Sequence, residues 1–514
     1  MLKLSLTVDV NKEESIEKSV AKKLGVNSVK NVIILKKSID ARKKDCLKYN
    51  YVVGVEVDNE RMFINENVTQ FNMKISSLRD MCIGKKLSGD YVVVGTGPAG
   101  LFCALALAYS GAKPIVFERG EKVEERSKSV RTFFDTLVLK SNSNVQFGEG
   151  GAGTFSDGKL NTNLHNEYVS VVLNEFVKFG APKEITYLNK PHVGTDNLVE
   201  VVKNMRKEII ALGGEVHFNE QVVDIEIKNS HVTSVTTPKN KYPCKGAFFA
   251  IGHSARDTFE MLHHKGVLMT TKTFSMGTRI EHLRNEIDRA QYGKNAKISS
   301  ADYKLATRED TGRSLYTFCM CPGGKVINAS SEEGAVCVNG MSYFARDDVN
   351  SNSAILVNVD EKDWGSDHPL SGMEFQRKYE RKAYSLSGGY KPIVQLYGDF
   401  CANRVSKNLG RIEPSVESGY VYGNINDCLP RAVAETIKRG VKSFGKKIKG
   451  FDSEDAVLTG IETRSSSPIR ILRDENFNSN VQGLIPIGEG AGYAGGIVSA
   501  SIDGIRSVLE NCLL

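Results

Sequence analysis

A glycine-rich turn that directly follows an apolar strand constrains this chain more than any other feature of its sequence. Residues 90–94 (Asp-Tyr-Val-Val-Val) form a short apolar run, typical of a parallel strand buried on both faces. Residues 95–100 then read Gly-Thr-Gly-Pro-Ala-Gly, and residues 101–109 predict an apolar helix. A second strand over residues 113–117 ends at Glu118. This order predicts a Rossmann-like α/β unit that binds a dinucleotide.

The residues of the turn match what a bound dinucleotide requires. Gly95 permits the tight turn, Gly97 lets the backbone approach a pyrophosphate, and Gly100 allows the helix to pack against the strand. The helix that begins near Pro98 and Ala99 would direct its free N–H groups and its positive dipole end at the phosphates. We therefore predict that all five of these residues contact the cofactor.

Three charged residues follow the second strand. Glu118 is placed to accept hydrogen bonds from the hydroxyls of an adenosine ribose. Arg119 and Arg126 could neutralise phosphate, or they could simply lie on the surface. The glycine pattern alone does not separate FAD from NAD.

Two later segments favour FAD. A helix over residues 195–212, Gly213-Gly214 and strands that end in Ala250-Ile251-Gly252 resemble the FAD domain of the two-dinucleotide-binding-domain flavoproteins. Residues 483–497 resemble the strand and loop with which those flavoproteins close over FAD, and a following helix would direct its positive end at the flavin ring. The cofactor contacts predicted in these segments are Val223, Ile251, Gly252, Gly488, Glu489, Gly495, Gly496 and Ile497.

A third glycine-rich stretch, residues 147–160, predicts either backbone pressed against a planar ligand or a flexible lid. Its predicted cofactor contacts are Gly150, Gly151, Ala152 and Thr154. Lys159 is a candidate substrate residue, as are Arg464 and Arg470. An arginine there could pair with a carboxylate or phosphate, or it could form an interdomain salt bridge.

With these motifs the whole chain resembles a bacterial family of FAD-dependent dehydrogenases, also described as NAD(P)/FAD-dependent oxidoreductases. The resemblance implies FAD and redox chemistry, and it leaves the substrate open. The matching segments are residues 38–42, 95–100, 147–160, 318–324, 462–470 and 488–497.

The predicted fold class is α/β, with a Rossmann-like FAD-binding domain over residues 88–265 that returns at 480–514. An α+β substrate domain, residues 266–479, is inserted in it. Residues 1–87 predict a small ferredoxin-like α+β domain. Because residues 266–479 hold no second glycine fingerprint, a built-in NAD(P)H domain is not expected.

Composition and cysteine spacing exclude several other classes of protein. An apolar fraction of 40% and a charged fraction of 25% exclude a disordered or fibrous chain. No apolar run is long enough for a membrane span, and the ten scattered cysteines lack zinc-site spacing, so we expect free thiols in a cytoplasmic protein. Cys319 and Cys321 are expected to face the same side of a strand, as redox or metal-binding groups or as packing residues. His253 could reach the cofactor.

These features predict an FAD-dependent oxidoreductase that transfers a hydride between flavin N5 and a small organic substrate or NAD(P)H. The alternative is a flavin-dependent RNA-modifying or RNA-binding protein, because residues 1–88 hold an excess of lysine and arginine. Against that alternative, the segment lacks the aromatic residues between basic ones that single-strand binding uses. The sequence indicates neither a catalytic base nor an oligomeric state.

Overall fold

The structure, a computed structural model, describes every residue of the chain except 13, 45, 73–75, 294–297, 299 and 512–513. It confirms the mixed α/β class, with a five-stranded parallel sheet and a seven-stranded sheet as its two largest sheets. Cys512, one of the ten cysteines, lies outside the described residues.

The N-terminal segment forms a four-stranded antiparallel sheet in the ferredoxin-like order. A 3-10 turn, Glu60–Phe63, stands where that fold has its second helix. The first helix begins at Ile16, where the Ser15 hydroxyl caps it by accepting from the Lys18 N–H. The strands are Leu2–Asp9, Val32–Asp40, Lys48–Val55 and Val68–Gln70, and the helices are Ile16–Leu24 and Leu78–Cys82.

The five-stranded parallel sheet has the central strand Tyr91–Val94, which is buried throughout, as its apolar sequence predicts. Ile115–Phe117 and Glu215–His217 follow on one side. Gly246–Phe249 and then Leu484–Pro486 follow on the other, so the C-terminal segment completes the same sheet. This is the Rossmann-like arrangement that the sequence predicts.

Helices cover both faces of this sheet, and a three-stranded antiparallel sheet flanks it. The helices are Pro98–Tyr109, Val123–Thr136, Glu167–Lys178, Gly194–Ala211, Arg256–His264 and Ile497–Leu509. The strands of the flanking sheet are Asp224–Lys228, His231–Thr236 and Lys241–Pro243. We call Pro98–Tyr109 the fingerprint helix and Ile497–Leu509 the closing helix; the two pack against each other, since a Cβ on Gly504 would lie 2.2 Å from the Ala99 carbonyl oxygen.

The seven-stranded sheet dominates the middle of the chain. In sheet order its strands are Ala306–Arg308, Ser314–Cys321, Asn350–Val359, Phe274–Leu283, Val457–Glu462, Ile393–Leu396 and Val421–Tyr422. Its helices are Arg284–Tyr292, Glu361–Trp364, Ser371–Ser387, Tyr397–Cys401 and Arg431–Gly445. Two strand pairs complete the segment: Lys325–Asn328 with Val338–Met341, and Met269–Thr271 with Ile469–Ile471. The domain boundaries drawn from the sequence stay a prediction.

Candidate active site

A cavity of about 560 Å³ lies between the carboxyl edge of the parallel sheet and the seven-stranded sheet. Ligands of open parallel sheets bind at this edge. The parallel-sheet half contributes the turn at 94–99, Phe117 to Arg119, and the loops at 146–153, 250–255 and 487–497. The other half contributes Tyr303, Thr317 to Met320, Asn339, Glu462 and Arg464.

The glycine turn fits a pyrophosphate. Gly95 has a φ of 100°, and a Cβ there would lie 2.5 Å from the Ala250 carbonyl oxygen. A Cβ on Gly100 would lie 1.9 Å from the Gly95 carbonyl oxygen, so these two glycines serve packing. A Cβ on Gly97 would instead meet only the Cα of Gly151, at 3.9 Å, and would point into the cavity. No side chain of the described residues caps the helix at Gly97, which leaves its first N–H groups for a ligand.

Glu118 lines the cavity, but its carboxylate is already engaged by protein donors. One oxygen accepts from the backbone N–H and the hydroxyl of Thr96, at 3.0 and 2.7 Å. The other accepts from the N–H groups of Gly120 and Gly148, both at 3.0 Å. Because a carboxylate has about four acceptor positions, Glu118 mainly fixes the turn to the glycine loop, and its contact with a ribose stays a prediction.

Arg119 lies at the cavity wall, where its side chain is largely buried and paired with other side chains. Its guanidinium pairs with Asp257 at 2.8 Å and stacks on the Phe147 ring, 4.4 Å from the centroid. Burial opposes ionisation of Asp257, yet the neighbouring Arg119 leaves the pKa of that carboxyl below its usual value.

Arg126 does not line the cavity, and because its side chain is buried the expectation that it lies on the surface is wrong; its contact with phosphate stays a prediction. It is fully buried, and its guanidinium donates hydrogen bonds to five backbone carbonyls between residues 144 and 151. This loop, which we call the glycine loop, forms one wall of the cavity. Arg126 therefore shapes the cavity through the loop backbone.

Five other predicted contacts do not line the cavity, whereas their neighbours do: Gly100, Gly150, Thr154, Val223 and Gly488. Gly151 and Ala152 line it, but Gly150 donates its N–H to the Thr96 carbonyl, and the buried Thr154 hydroxyl turns back to the Glu149 carbonyl. At Gly150 and Thr154 the loop turns toward the helix Gly194–Ala211, and the contact of these two residues with the cofactor stays a prediction.

Val223 is 41% exposed, and its N–H pairs with the Thr236 carbonyl in the flanking sheet, so Val222 lines the cavity in its place. Gly488 has a φ of 76° and donates its N–H to Asp503, and a Cβ there would meet Ala99 at 2.7 Å. It is a packing glycine rather than a lining residue.

The remaining predicted contacts do lie together on the cavity wall: Gly97, Pro98, Ala99, Ile251, Gly252, Glu489, Gly495, Gly496 and Ile497. The closing helix begins at Ile497, and no described side chain caps it at Gly496, so its positive end faces the cavity. Burial raises the pKa of the Glu489 carboxyl to about 7, although Lys272 acts in the opposite direction.

Of the three candidate substrate residues, Lys159 lines the cavity and donates to the Met320 carbonyl. Arg464 also lines it, but its guanidinium is bound to the buried Glu380 carboxylate at 2.7 and 3.0 Å. Both residues lie within residues 266–479, so this salt bridge is internal to the predicted substrate domain rather than interdomain. Arg470 does not line the cavity; it donates to the Gly492 carbonyl and stacks on Tyr493, and its role toward a substrate stays a prediction.

The side chains of Cys319 and Cys321 lie within hydrogen-bond distance of each other. The strand register shifts between Phe318 and Cys321; Cys319 lines the cavity and Cys321 is fully buried. No sequence signal marks this bulge. His253 does reach the cavity, beside the Ser254 hydroxyl at 2.9 Å, and burial lowers the pKa of its imidazole to about 3.

Among the described residues, no helix combines the length and apolarity needed to cross a membrane. Cytoplasmic localisation stays a prediction.

Comparison with known proteins identifies the cofactor class. Family models described as "FAD binding domain" and "FAD-dependent protein, C-terminal domain-like" match residues 90–131 and 273–465, and a domain of unknown function matches residues 1–56. An uncharacterized protein of Clostridium beijerinckii is 48% identical over 517 residues, which cover 98% of this chain and 96% of the relative.

Solved structures are far more distant. Quinol fumarate reductase FrdA of E. coli is 12% identical over 83% of this chain and 70% of its own, with a TM-score of 0.38. A geranylgeranyl bacteriochlorophyll reductase-like protein of Thermoplasma acidophilum is 11% identical over 82% and 77%, with a TM-score of 0.36. Nothing about substrate follows from similarity at this level. The near-full-length relative and the two flavin family models show that the chain belongs to a family of FAD-dependent proteins.

Proposed function

We propose that the chain transfers a hydride between its flavin and a small organic substrate or NAD(P)H held against the seven-stranded sheet. The observation that supports this most is one continuous cavity that joins the glycine turn at 95–100 to polar side chains of the other sheet. When bound, FAD supplies the hydride-accepting N5 atom; the protein supplies position and electrostatics.

The parallel-sheet half would hold the cofactor. The free N–H groups of the fingerprint helix and the open space beside Gly97 suit a pyrophosphate. The positive end of the closing helix, at Gly496, suits a group that gains negative charge on reduction. Together these two helix ends would fix the cofactor at both its phosphates and its ring.

The opposite wall would bind the second reactant. Lys159 and Asn339 offer hydrogen-bond donors to a carbonyl or carboxylate, while Glu462 is held in place by the buried Arg279 at 3.1 Å. From the parallel-sheet half, Glu489, whose pKa is raised to about 7, can take up or release a proton near neutral pH. A polar wall with hydrogen-bond donors, facing a titratable acid, suits a small oxygen-bearing substrate.

Anaerobic spectroscopy of the FAD-loaded protein tests this proposal. NADH, then NADPH, would be added, and the visible absorption of the flavin followed. Rapid bleaching supports the nicotinamide form of the proposal; bleaching only by an organic donor supports the other form. Flavin that no donor of either class bleaches, in a protein whose flavin dithionite does bleach, would refute hydride transfer. The RNA-binding alternative stays a prediction, since no observation on residues 1–87 favours it.

A further inference from the structure

The cavity opens to solvent at an end that carries mostly positive charge. Residues of three segments, 159–163, 190 and 302–304, line this end, and several of them are exposed to solvent as well. We call these segments the basic rim. They supply three lysine ammonium groups against one carboxylate, that of Asp302.

Backbone contacts hold the basic rim in place from both halves of the cavity. Residues 159–160 pair with residues 191–192, with the Leu160 N–H donating to the Pro191 carbonyl at 3.0 Å, which brings the segment at 161–163 beside Lys190. On the other half, Leu305 donates its N–H to the Thr317 hydroxyl at 2.8 Å and accepts from the Thr317 N–H at 2.9 Å. The lysines of the rim therefore project from anchored chain.

The charge of Lys159 has no carboxylate of its own. Its ammonium lies 4.0 Å from Asp157, but Arg346 already binds that buried carboxylate through two hydrogen bonds, one of them at 2.9 Å. Two cations thus share one anion, and the ammonium of Lys159 remains on the cavity wall.

The other two lysines of the rim share the carboxylate of Asp302. Lys190 pairs with it at 2.8 Å. Lys304, two residues along from Asp302, is exposed and forms no ion pair with any residue that the structure describes. An anion that enters the cavity therefore meets an ammonium group that the protein has not neutralised.

The carboxylates that line the rest of the cavity offset little of this charge. Glu118 is held by backbone and hydroxyl donors, Glu220 by Lys239 at 2.8 Å, and Glu462 by the buried Arg279. Glu489 has a pKa raised to about 7, so it carries only part of a negative charge near neutral pH.

An exposed aromatic ring lies beside the basic rim. Phe318 lines the cavity, directly follows the Thr317 anchor and is 37% exposed. A phenyl ring packs against apolar or planar groups. Ammonium groups beside such a ring suit a ligand in which an anionic group is joined to an apolar or planar part, rather than a free inorganic ion.

We propose that the basic rim binds the anionic group, a phosphate or a carboxylate, of the second reactant, and that this reactant is an organic anion. The inference rests on the proposed function, because the rim opens into the cavity where the hydride is exchanged. Lys159 and Lys304 donate charge-assisted hydrogen bonds to the anion, and Lys190 joins them as the anion competes with Asp302. A phosphate belongs to NAD(P)H, and a carboxylate belongs to an organic acid.

Calorimetric titration of the oxidised, FAD-loaded protein tests this inference with probes that exchange no electrons. Adenosine diphosphate against adenosine tests a phosphate, and benzoate against benzyl alcohol tests a carboxylate. We expect at least one anion to bind about tenfold more tightly than its neutral match, or better. Fluorescence of free flavin in the filtrate reports any displacement of FAD.

Two substitutions at the rim should shift this affinity in opposite directions. Lys304→Gln removes one charge-assisted hydrogen bond and should raise the dissociation constant of the anion about tenfold. Asp302→Asn removes the competing carboxylate and should lower it about threefold, whereas damage to the rim would raise it. Lys449→Gln, at an exposed lysine that does not line the cavity, is the matched control and should leave it unchanged.

The inference is overturned if neither anion binds more tightly than its neutral match, or if the anion binds only as FAD is released. It is also overturned if Lys304→Gln leaves the affinity unchanged, if Lys449→Gln loses as much, or if Asp302→Asn binds the anion more weakly. Binding requires no electron transfer, so this outcome is independent of the bleaching experiment. Anion binding by a protein that no donor bleaches refutes hydride transfer alone, and bleaching without anion binding refutes the role of the rim alone.

Discussion

Replacing Arg126 tests whether this chain binds its cofactor through a backbone loop that one buried side chain holds in shape. Arg126→Met keeps much of the side-chain volume but removes all five hydrogen bonds to the glycine loop. A hydrogen bond to a charged group contributes about 1.5–3 kcal/mol. The full sum of five will not appear, because the loop can open and expose its carbonyls to water.

We expect the loop to open, so that FAD must close it again on binding. Taking about 3 kcal/mol for the loss of a buried, hydrogen-bonded charge, the dissociation constant of FAD should rise about a hundredfold. Titration of the flavin-free protein with FAD, followed by flavin fluorescence, measures this change. Arg131→Met, on the same helix but with a side chain 63% exposed, is the matched control and should leave the affinity unchanged.

Arg126→Lys separates the two roles considered for this residue. A lysine keeps the positive charge but cannot reach five carbonyls with its single ammonium group. If the arginine acted on phosphate by charge, lysine should restore most of the affinity. We expect it to remain near the methionine variant. Affinity within threefold of the parent protein for either variant would refute the loop argument.

Four further substitutions have distinct expected outcomes. Gly97→Ala should weaken FAD binding tenfold or more at unchanged melting temperature, whereas Gly100→Ala, whose Cβ meets backbone at 1.9 Å, should lower the melting temperature itself. Glu380→Gln should cost about 3–5 kcal/mol in urea unfolding, because two buried arginines lose their carboxylate; a cost below 1 kcal/mol would contradict this. Glu489 has a raised pKa of about 7, so its ionisation costs stability as pH rises from about 4.5 through 7. Glu489→Gln should therefore gain melting temperature relative to the parent over that window, and parallel curves would refute the assignment.

The sequence predicts the cofactor-binding unit well because its signals are local. The strand at 91–94, the glycine turn and the fingerprint helix follow one another within twenty residues, so their spacing alone determines how they pack. The same is true of Gly495 and Gly496, which directly precede the closing helix. In both places the residues that face the ligand are backbone groups at a helix start, and their identity as glycine is visible in the sequence.

Prediction failed where a side chain's role depends on a contact far along the chain or on a one-residue shift. Arg126 is an unremarkable helix residue until the loop at 144–151 folds over it. Val223 and Val222 are both apolar, and only the pairing of Val223 with Thr236 decides which of them lines the cavity. The bulge between Phe318 and Cys321 is likewise not revealed by regular strand periodicity.

The division of the cavity between two sheets suggests which part of the chain determines each property of the enzyme. The cofactor side is built from backbone N–H groups and glycines, which tolerate little change without losing FAD. The wall proposed to bind the substrate is built from side chains on strands and a bulge. Cys319 and the polar Asn339 are two of these side chains. Strand side chains can be exchanged without altering the sheet that presents them. Substrate preference in this family should therefore vary with the residues at 317–320 and 339, while the turn at 95–100 keeps the flavin in place.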